Sequence, residues 1–132
     1  MKKLLITLAL LISAVSFGQT SIEYFNRGND KAEANDHYGA ISDFNKAIEL
    51  NPNLALAYNN RGLSKDNLKD YNGAISDYTK AIEINPNYAK AYNNRSVSKE
   101  LLGDLTGACA DAKKAINLGS NSSVKWMASN CN

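Results

Sequence analysis

The feature that most constrains this chain is an internal repeat. Residues 21–54 and 55–88 align without a gap, and the same pattern continues from residue 89. Three sets of positions recur in equal steps: Arg27, Arg61 and Arg95; Asp43, Asp77 and Asp111; Ala47, Ala81 and Ala115. The step matches the period of roughly 34 residues that is typical of helix–turn–helix repeats. Because one such unit cannot bury its apolar face alone, neighbouring units must stack, and stacking creates an extended surface.

Each unit is predicted to contain two helices. The first helices are expected over 22–35, 56–68 and 90–102, and the second helices over 38–50, 72–84 and 106–118. Pro52 and Pro86 end the second helices of the first two units, because the residue before a proline avoids the α region. The third unit has Gly119 instead, a glycine C-cap. A final short helix over 121–131 is expected to cap the stack.

Small residues recur where the two helices of a unit must approach closely. Gly28 and Gly62 occupy this position in the first two units, and large aromatic residues, Phe44 and Tyr78, occupy a recurring position in the second helices. In the third unit the aromatic residue is replaced by Ala112. We expect Trp126 or Met127 of the final helix to fill that space, since a Trp on a terminal amphipathic helix is usually a packing anchor.

The spacing Tyr-x-x-x-Gly followed by Ala-x-x-x-Phe/Tyr-x-x-Ala and Pro occurs twice in full and once in degraded form. Over residues 21–118 this pattern resembles the tetratricopeptide repeat. The resemblance implies an all-α fold, a right-handed α-α superhelix of three units (21–54, 55–88 and 89–120) with a C-terminal capping helix over 121–131.

The chain departs from the family pattern at two recurring positions. Arginine stands where the family usually has leucine, and lysine stands one turn later where the family usually has tyrosine; these are Arg27, Arg61 and Arg95, and Lys31, Lys65 and Lys99. We expect each arginine to pair with the aspartate of its own unit. The alternative is that the arginines form a ladder that binds acidic ligands.

The resemblance also implies a concave groove, lined by the first helices, that binds a protein or an extended peptide. The partner-binding residues it implies are Phe25, Asn26, Asn29, Asn59, Asn60, Leu63, Lys90, Asn93, Asn94 and Val97. A side-chain amide both donates and accepts hydrogen bonds. A ladder formed by Asn26, Asn60 and Asn94 could therefore bind the backbone of an extended peptide without reading its side chains. The alternative is that asparagine is simply tolerated on a solvated helix face.

A second binding mode of the family is a clamp of two Lys, two Asn and an Arg that holds a C-terminal carboxylate. Asn29, Asn60 and Lys90 match three of its positions. Phe25 stands where a lysine is needed, and Asn94 stands where the arginine is needed. Because two of the cations are missing, binding of chaperone tails is not predicted.

Residues 1–18 have the form of a bacterial secretory signal peptide. A cationic Met1-Lys2-Lys3 precedes an apolar run that is too short to span a membrane, and small residues follow at Ser16 and Gly18. We expect cleavage after Gly18, with cleavage after Ser16 or an uncleaved anchor as alternatives. The mature chain, 19–132, is then a periplasmic or secreted domain without a membrane span.

Charge argues against a nucleic-acid partner. The full chain has 15 Lys+Arg and 13 Asp+Glu, and removal of Lys2 and Lys3 with the signal leaves 13 of each. The remaining cations recur singly beside acids, whereas a nucleic-acid-binding protein usually has a basic patch or stripe.

The two cysteines are predicted to form a disulfide, because an exported chain is in a compartment that permits one. Cys109 lies early in the last repeat helix, and Cys131 ends the antiparallel helix that returns along it. Their Cα atoms can therefore approach within bridging distance. Two free thiols, or a bridge to another chain, are the alternatives.

No catalytic residue, cofactor or metal site is predicted, and the only histidine, His37, is expected to be a solvated turn residue. The predicted function is protein–protein interaction, as a scaffold or adaptor and not as an enzyme. The competing hypothesis is a structural subunit that stacks end to end with itself or with a larger repeat protein. Ile22, Tyr24 and Phe25 begin the first helix with no capping helix before them, so a homo-oligomer is compatible with the sequence.

Overall fold

A computed structural model describes residues 20–131, and every regular element within that range is an α-helix. The chain is helical over 20–33 (α1). The other helices are α2 (His37–Leu50), α3 (Ala55–Asn67), α4 (Tyr71–Ile84), α5 (Ala89–Leu101), α6 (Leu105–Asn117) and α7 (Val124–Asn130). The predicted all-α architecture is confirmed, with small shifts at the helix ends. The predicted signal peptide, residues 1–18, lies outside the described residues.

The second helix of every unit begins with the same cap. The carboxylate of an aspartate accepts a hydrogen bond from the backbone N–H of the glycine three residues later, at 2.9–3.0 Å. This bond satisfies one of the orphan donors of the helix N-terminus. A Cβ atom on the glycine would collide with the aspartate, since at Gly39 it would lie 2.1 Å from a carboxylate oxygen of Asp36. A side chain at this position would therefore displace the capping carboxylate from the place it occupies here. The three copies of the Asp-x-x-Gly pattern are Asp36/Gly39, Asp70/Gly73 and Asp104/Gly107.

Within the first two units the helices meet at a glycine and an aromatic ring. A Cβ atom on Gly28 would lie 2.6 Å from the ring of Phe44, and one on Gly62 would lie 2.7 Å from the ring of Tyr78. Both rings are completely buried. The glycines are therefore needed to make room for the aromatic residues.

The third unit changes both partners of this contact at once. The ring is replaced by Ala112, and the glycine by Ser96, whose hydroxyl donates a buried hydrogen bond of 2.9 Å to the carbonyl of Ala108. The capping helix α7, which is described in full, contributes no buried residue. Trp126 instead donates to Glu100 at 2.7 Å. Trp126 and Met127 are both partly buried, so each covers the last unit without being fully enclosed.

Successive units stack through an apolar contact between the second helix of one unit and the first helix of the next. Tyr58, Ala81 and Ala91 form a buried cluster, and partly buried aliphatic and aromatic residues pack around it: Ile48, Ala55, Ile82, Ile84 and Tyr88. This contact places α1, α3 and α5 side by side. Among residues 20–131, no helix combines the length and the apolar character needed to cross a bilayer.

Candidate functional site

A chain of side-chain amides connects the three first helices. Asn94 of α5 donates to Asn59 of α3 at 3.0 Å, and Asn59 donates to its neighbour Asn60 at 3.0 Å. Asn60 then donates to Asn29 of α1 at 2.8 Å. These four amides, which we call the amide chain, fix the mutual positions of α1, α3 and α5. They run along the side of the stack on which the groove was predicted, which we call the first-helix groove.

The amide chain corrects the prediction that Asn59 binds a partner. Asn59 is only 1% exposed, so it cannot present its amide to a partner. It lies between the helices because its carbonyl accepts from Asn94 while its NH₂ group donates to Asn60. A buried polar group needs such partners. Asn60 and Asn94 are half-buried and keep unused hydrogen-bonding capacity, and Asn26 is exposed and makes no side-chain hydrogen bond to any described residue.

The remaining predicted residues are divided between the groove and the scaffold. Leu63 is exposed beside Asn29 and Asn60, and Lys90 is exposed in a cavity that Asn93 and Asn94 also line. The exposed Val97 lies one turn after Asn93 and Asn94 on α5.

Phe25 and Asn93 also make contacts within the stack of repeats. The ring of Phe25 packs against that of Phe44, with centroids 6.0 Å apart. Asn93 accepts hydrogen bonds from Ser122, at 3.2 Å, and from Ser123. Part of the hydrogen-bonding capacity of Asn93 is therefore used to attach the capping segment and not to bind a partner.

The predicted arginine–aspartate pairs are present in all three units. Each arginine binds both carboxylate oxygens of its aspartate, and the lysine one turn later binds the same carboxylate at 2.8–2.9 Å. Each guanidinium also lies over a tyrosine ring of its own helix, at 4.7–5.6 Å from the centroid. The bidentate bond to Arg27 is the main cause that lowers the pKa of Asp43 to about 2.

Two of these arginines also join neighbouring units. Arg61 donates to Asn45 of the preceding unit at 2.8 Å, and Arg95 donates to Thr79 at 3.0 Å. Each therefore connects the aspartate of its own unit to a polar side chain of the unit before. The guanidinium groups are therefore already bonded within the stack of repeats. A ladder of arginines that binds acidic ligands is not supported.

Sequence reasoning missed two polar residues that line a cavity at the joint between the first and second units. The cavity has a volume of about 450 Å³, and Ser64 and His37 both line it. Ser64 Oγ and His37 Nδ1 are buried and have no hydrogen-bond partner among the described residues. His37 is thus half-buried at the start of α2, in contrast to the solvated turn residue that we expected. The signal that could have found this site is a comparison of equivalent positions in successive repeats.

The cysteine pair lies where the sequence predicts it. Cys109 and Cys131 are joined in a disulfide, with their Cα atoms 5.7 Å apart. The bond attaches the end of α7 to α6. Within residues 20–131, no group of three or more His, Cys, Asp or Glu side chains is arranged to hold a metal ion.

Several solved structures resemble this one closely. The tetratricopeptide-repeat domain of Arabidopsis OM64 is 28% identical, with a TM-score of 0.82, and the match covers 86% of this chain and 94% of that domain. The second such domain of human RPAP3, in complex with the HSP70 peptide SGPTIEEVD, is 25% identical, with a TM-score of 0.81 and coverage of 86% and 97%. The second domain of Spaghetti (RPAP3), bound to the HSP90 peptide SRMEEVD, is 28% identical, with a TM-score of 0.75 and coverage of 76% and 94%.

No curated protein matches this chain in a sequence search. Models of the tetratricopeptide repeat do match it, at residues 24–54, 55–88 and 77–110. These matches together span more than half of the chain, and the predicted α-α superhelix is the fold of the similar structures. The chain therefore belongs to the tetratricopeptide-repeat family.

Proposed function

We propose that this protein is an exported adaptor that binds an extended segment of another protein in the first-helix groove. The observation that carries the proposal is the amide chain. It spans all three first helices, and its half-buried members Asn29, Asn60 and Asn94 each keep a donor or an acceptor for a ligand. An extended peptide offers backbone N–H and C=O groups at regular intervals, and amides match both.

The amide chain also gives the groove a fixed geometry. Because Asn59 holds Asn60 and Asn94 in place, these side chains lose little conformational freedom when a ligand binds. Pre-organisation of this kind increases affinity by reducing the entropy lost on association. The similar domains of RPAP3 and Spaghetti, which have peptides bound, support a peptide as the class of ligand.

Recognition of a C-terminal carboxylate is not part of the proposal. Of the five positions at which the family clamp holds such a group, only Lys90 supplies a cation here, while Phe25 and Asn94 replace the others. Phe25 is further engaged with Phe44. The ligand we propose is therefore an internal segment of the partner, held by its backbone.

Export is supported by two independent features. Residues 1–18 have the charge and hydropathy pattern of a secretory signal. The chain also carries the Cys109–Cys131 pair, and disulfides persist in oxidising compartments such as the bacterial periplasm. The adaptor would thus work in the periplasm or outside the cell.

The proposal is tested by affinity capture from the native envelope fraction with a triple variant, Asn26/Asn60/Asn94→Ala. The matched control is Asn53/Asn87/Asn117→Ala, which removes three exposed amides that do not line the groove. We expect a partner that the wild type and the control retain and the folded groove variant loses. Retention by all three proteins would place the interface elsewhere.

One observation favours the competing structural-subunit function. The side chain of Arg27 is 57% exposed, whereas those of Arg61 and Arg95 are 18% and 16% exposed. Arg61 and Arg95 bind a polar residue of the preceding unit, and Arg27 has no equivalent contact among the described residues. A repeat stacked on this end would complete the pattern. Sedimentation of wild type and Arg27→Glu distinguishes the two functions. Only end-to-end stacking predicts that the mass of the wild type rises with its concentration. The substitution should then lower that mass.

A further inference from the structure

The joint between the second and third units contains a half-buried carboxylate, that of Asp66, which connects three helices. Asp66 of α3 accepts a hydrogen bond from Tyr78 of α4 at 2.6 Å. It also accepts from Ser98 of α5, whose hydroxyl lies 2.8 and 2.9 Å from the two carboxylate oxygens. Ser98 is completely buried. The side chains of Asp66, Tyr78 and Ser98 are therefore hydrogen-bonded to one another.

The joint between the first and second units has the same serine and lacks both of its partners. One repeat earlier, the position of Asp66 is occupied by Ala32, and that of Tyr78 by Phe44. The equivalent of Ser98 is Ser64, which is 1% exposed and has no hydrogen-bond partner among the described residues. A buried hydroxyl without a partner costs about 1–3 kcal/mol. A cavity of about 450 Å³ lies at this joint, and Ala32, Phe44 and Ser64 all line it.

We propose that this cavity is a side-chain subsite of the first-helix groove, and that it accepts a carboxylate from an Asp or Glu of the bound segment. The partner's carboxylate takes the place that the carboxylate of Asp66 occupies one repeat later, and Ser64 Oγ donates to it. His37 Nδ1, the second unpartnered buried atom of the cavity, is the other polar group available to it. The inference rests on the proposed function, because it assumes that an extended segment lies in the groove.

The position of the cavity relative to the amide chain fits this role. Asn29 and Asn60 line the cavity and also belong to the amide chain. A segment held by these amides therefore passes the mouth of the cavity and can turn one side chain into it. Leu63 and Phe44 supply apolar walls for the methylene groups of that side chain.

One acidic residue of this chain also lines the cavity. Glu33 is exposed, so water screens its charge. Two carboxylates also lie near each other at the second joint. Asp66 is held there although the like charge of Asp70 acts on it. The hydrogen bonds from Tyr78 and Ser98 offset that repulsion at the second joint, and those from Ser64 and His37 would do so at the first.

The test selects binders from a library of random linear peptides with the purified protein, followed by synthesis of the selected sequences. Each Asp or Glu of a selected peptide is replaced by Asn or Gln, and affinities are measured by fluorescence anisotropy. Three variants are compared: Ser64→Ala removes the donor, Ala32→Asp places the chain's own carboxylate in the cavity, and Ser98→Ala is the matched control at the second joint.

We expect an acidic residue at one fixed position of the selected peptides. Its replacement by the neutral isostere should weaken binding to wild type and to Ser98→Ala by ~10-fold, the effect of losing one charge-assisted hydrogen bond. The same replacement should have little effect on binding to Ser64→Ala and Ala32→Asp. Selected peptides without a fixed acidic position, or a preference unchanged in both of these variants, would overturn the subsite while leaving groove binding intact.

If wild type selects no peptides at all, the proposed function fails and the subsite fails with it. A measurement that needs no peptide keeps the two failures distinguishable. In a double-mutant cycle of thermal unfolding, Ala32→Asp and Ser64→Ala should be coupled, so that Ala32→Asp is more favourable by ~4 °C when Ser64 is present. Additive shifts would show that a carboxylate at this position does not reach Ser64, and would overturn the geometry of the subsite.

Discussion

The two joints of this molecule are built from equivalent positions and differ in what holds them together. At the second joint, Asp66 accepts hydrogen bonds from Tyr78 and Ser98, so the joint is closed. At the first joint, Ala32 and Phe44 replace the first two of these residues, and a cavity remains. The stacking of helices needs only the small residues and aromatic rings that both joints share. The polar residues at the joints are therefore free to differ, which is how one copy of a repeat can be structural while its neighbour provides a site.

The energetic consequences of this difference are opposite at the two joints. The closed joint has a fully bonded network, with a carboxylate that burial makes harder to ionise. The open joint keeps a buried hydroxyl without a partner, which lowers stability. A ligand that supplies the missing carboxylate would recover part of that loss on binding. Three predictions test this comparison, in order of decreasing effect.

The largest effect is expected for Tyr78→Ala at the closed joint. The ring is completely buried, so its removal should lower the free energy of unfolding by about 3–5 kcal/mol, as is typical of a large aromatic residue truncated in a core. Tyr78→Phe keeps the ring, makes the position identical to Phe44 and should lose only about 1–2 kcal/mol, the contribution of the hydrogen bond to Asp66. Urea denaturation measures both. Equal losses for the two variants would contradict the view that the ring is the shared scaffold and the hydroxyl the local addition.

A smaller effect, but a sharper contrast, is expected for the two equivalent serines. Ser98→Ala removes a hydroxyl bonded to a carboxylate and should lower the free energy of unfolding by about 1–2 kcal/mol. Ser64→Ala removes an equally buried hydroxyl that has no partner, and should leave stability unchanged or raise it by about 1 kcal/mol. Chemical denaturation of the two variants side by side is the measurement. A loss for Ser64→Ala as large as that for Ser98→Ala would show that the first joint is closed as well.

The smallest effects are expected in the pH dependence of unfolding, because the Arg27 side chain is exposed and water screens its pairing with Asp43. The bond from Arg27 lowers the pKa of Asp43 from an ordinary 3.8 to about 2, so its contribution to stability is present above pH 3.8 and is lost as pH falls through 2. Burial raises the pKa of Asp66, so its contribution has the opposite sign: it is present at low pH and is lost as pH rises above 3.8 through the raised value.

Denaturation across this pH range separates the two aspartates. Asp43→Asn should flatten the loss of stability between pH 4 and pH 2, and Asp66→Asn should remove a decline that begins near pH 4. Slopes of the same sign for both aspartates would contradict the distinction between a paired and a desolvated carboxylate.

The parts of the molecule that follow from local rules could be predicted from the sequence. The repeat period predicts the helices, and a recurring Arg and Asp in one unit predict an ion pair. Each of these depends on residues within one unit, whose spacing is visible in the chain. The disulfide could be predicted because α6 and α7 are adjacent and antiparallel.

The rest could not be predicted because it depends on side chains from different units. Asn59 and Asn60 are adjacent in sequence, yet Asn59 is buried by its bond to Asn94 of the next unit, while Asn60 faces the groove. The cavity is harder still, since it results from the absence of two partners, at Ala32 and Phe44, that a neighbouring repeat possesses. Such a site becomes visible only when equivalent positions of successive repeats are compared in three dimensions.

The most direct test of the central claim, that the first-helix groove holds the partner, is site-specific photo-crosslinking in the native envelope. A photoreactive amino acid is placed in separate variants at Leu63 in the groove, at the exposed Glu83 of α4 and at the exposed Ile22 of α1. The account predicts that Leu63 crosslinks a partner protein and that Glu83 and Ile22 do not. Crosslinking from Ile22 or Glu83 without crosslinking from Leu63 would contradict it and move the interface to the end or the outer face of the stack.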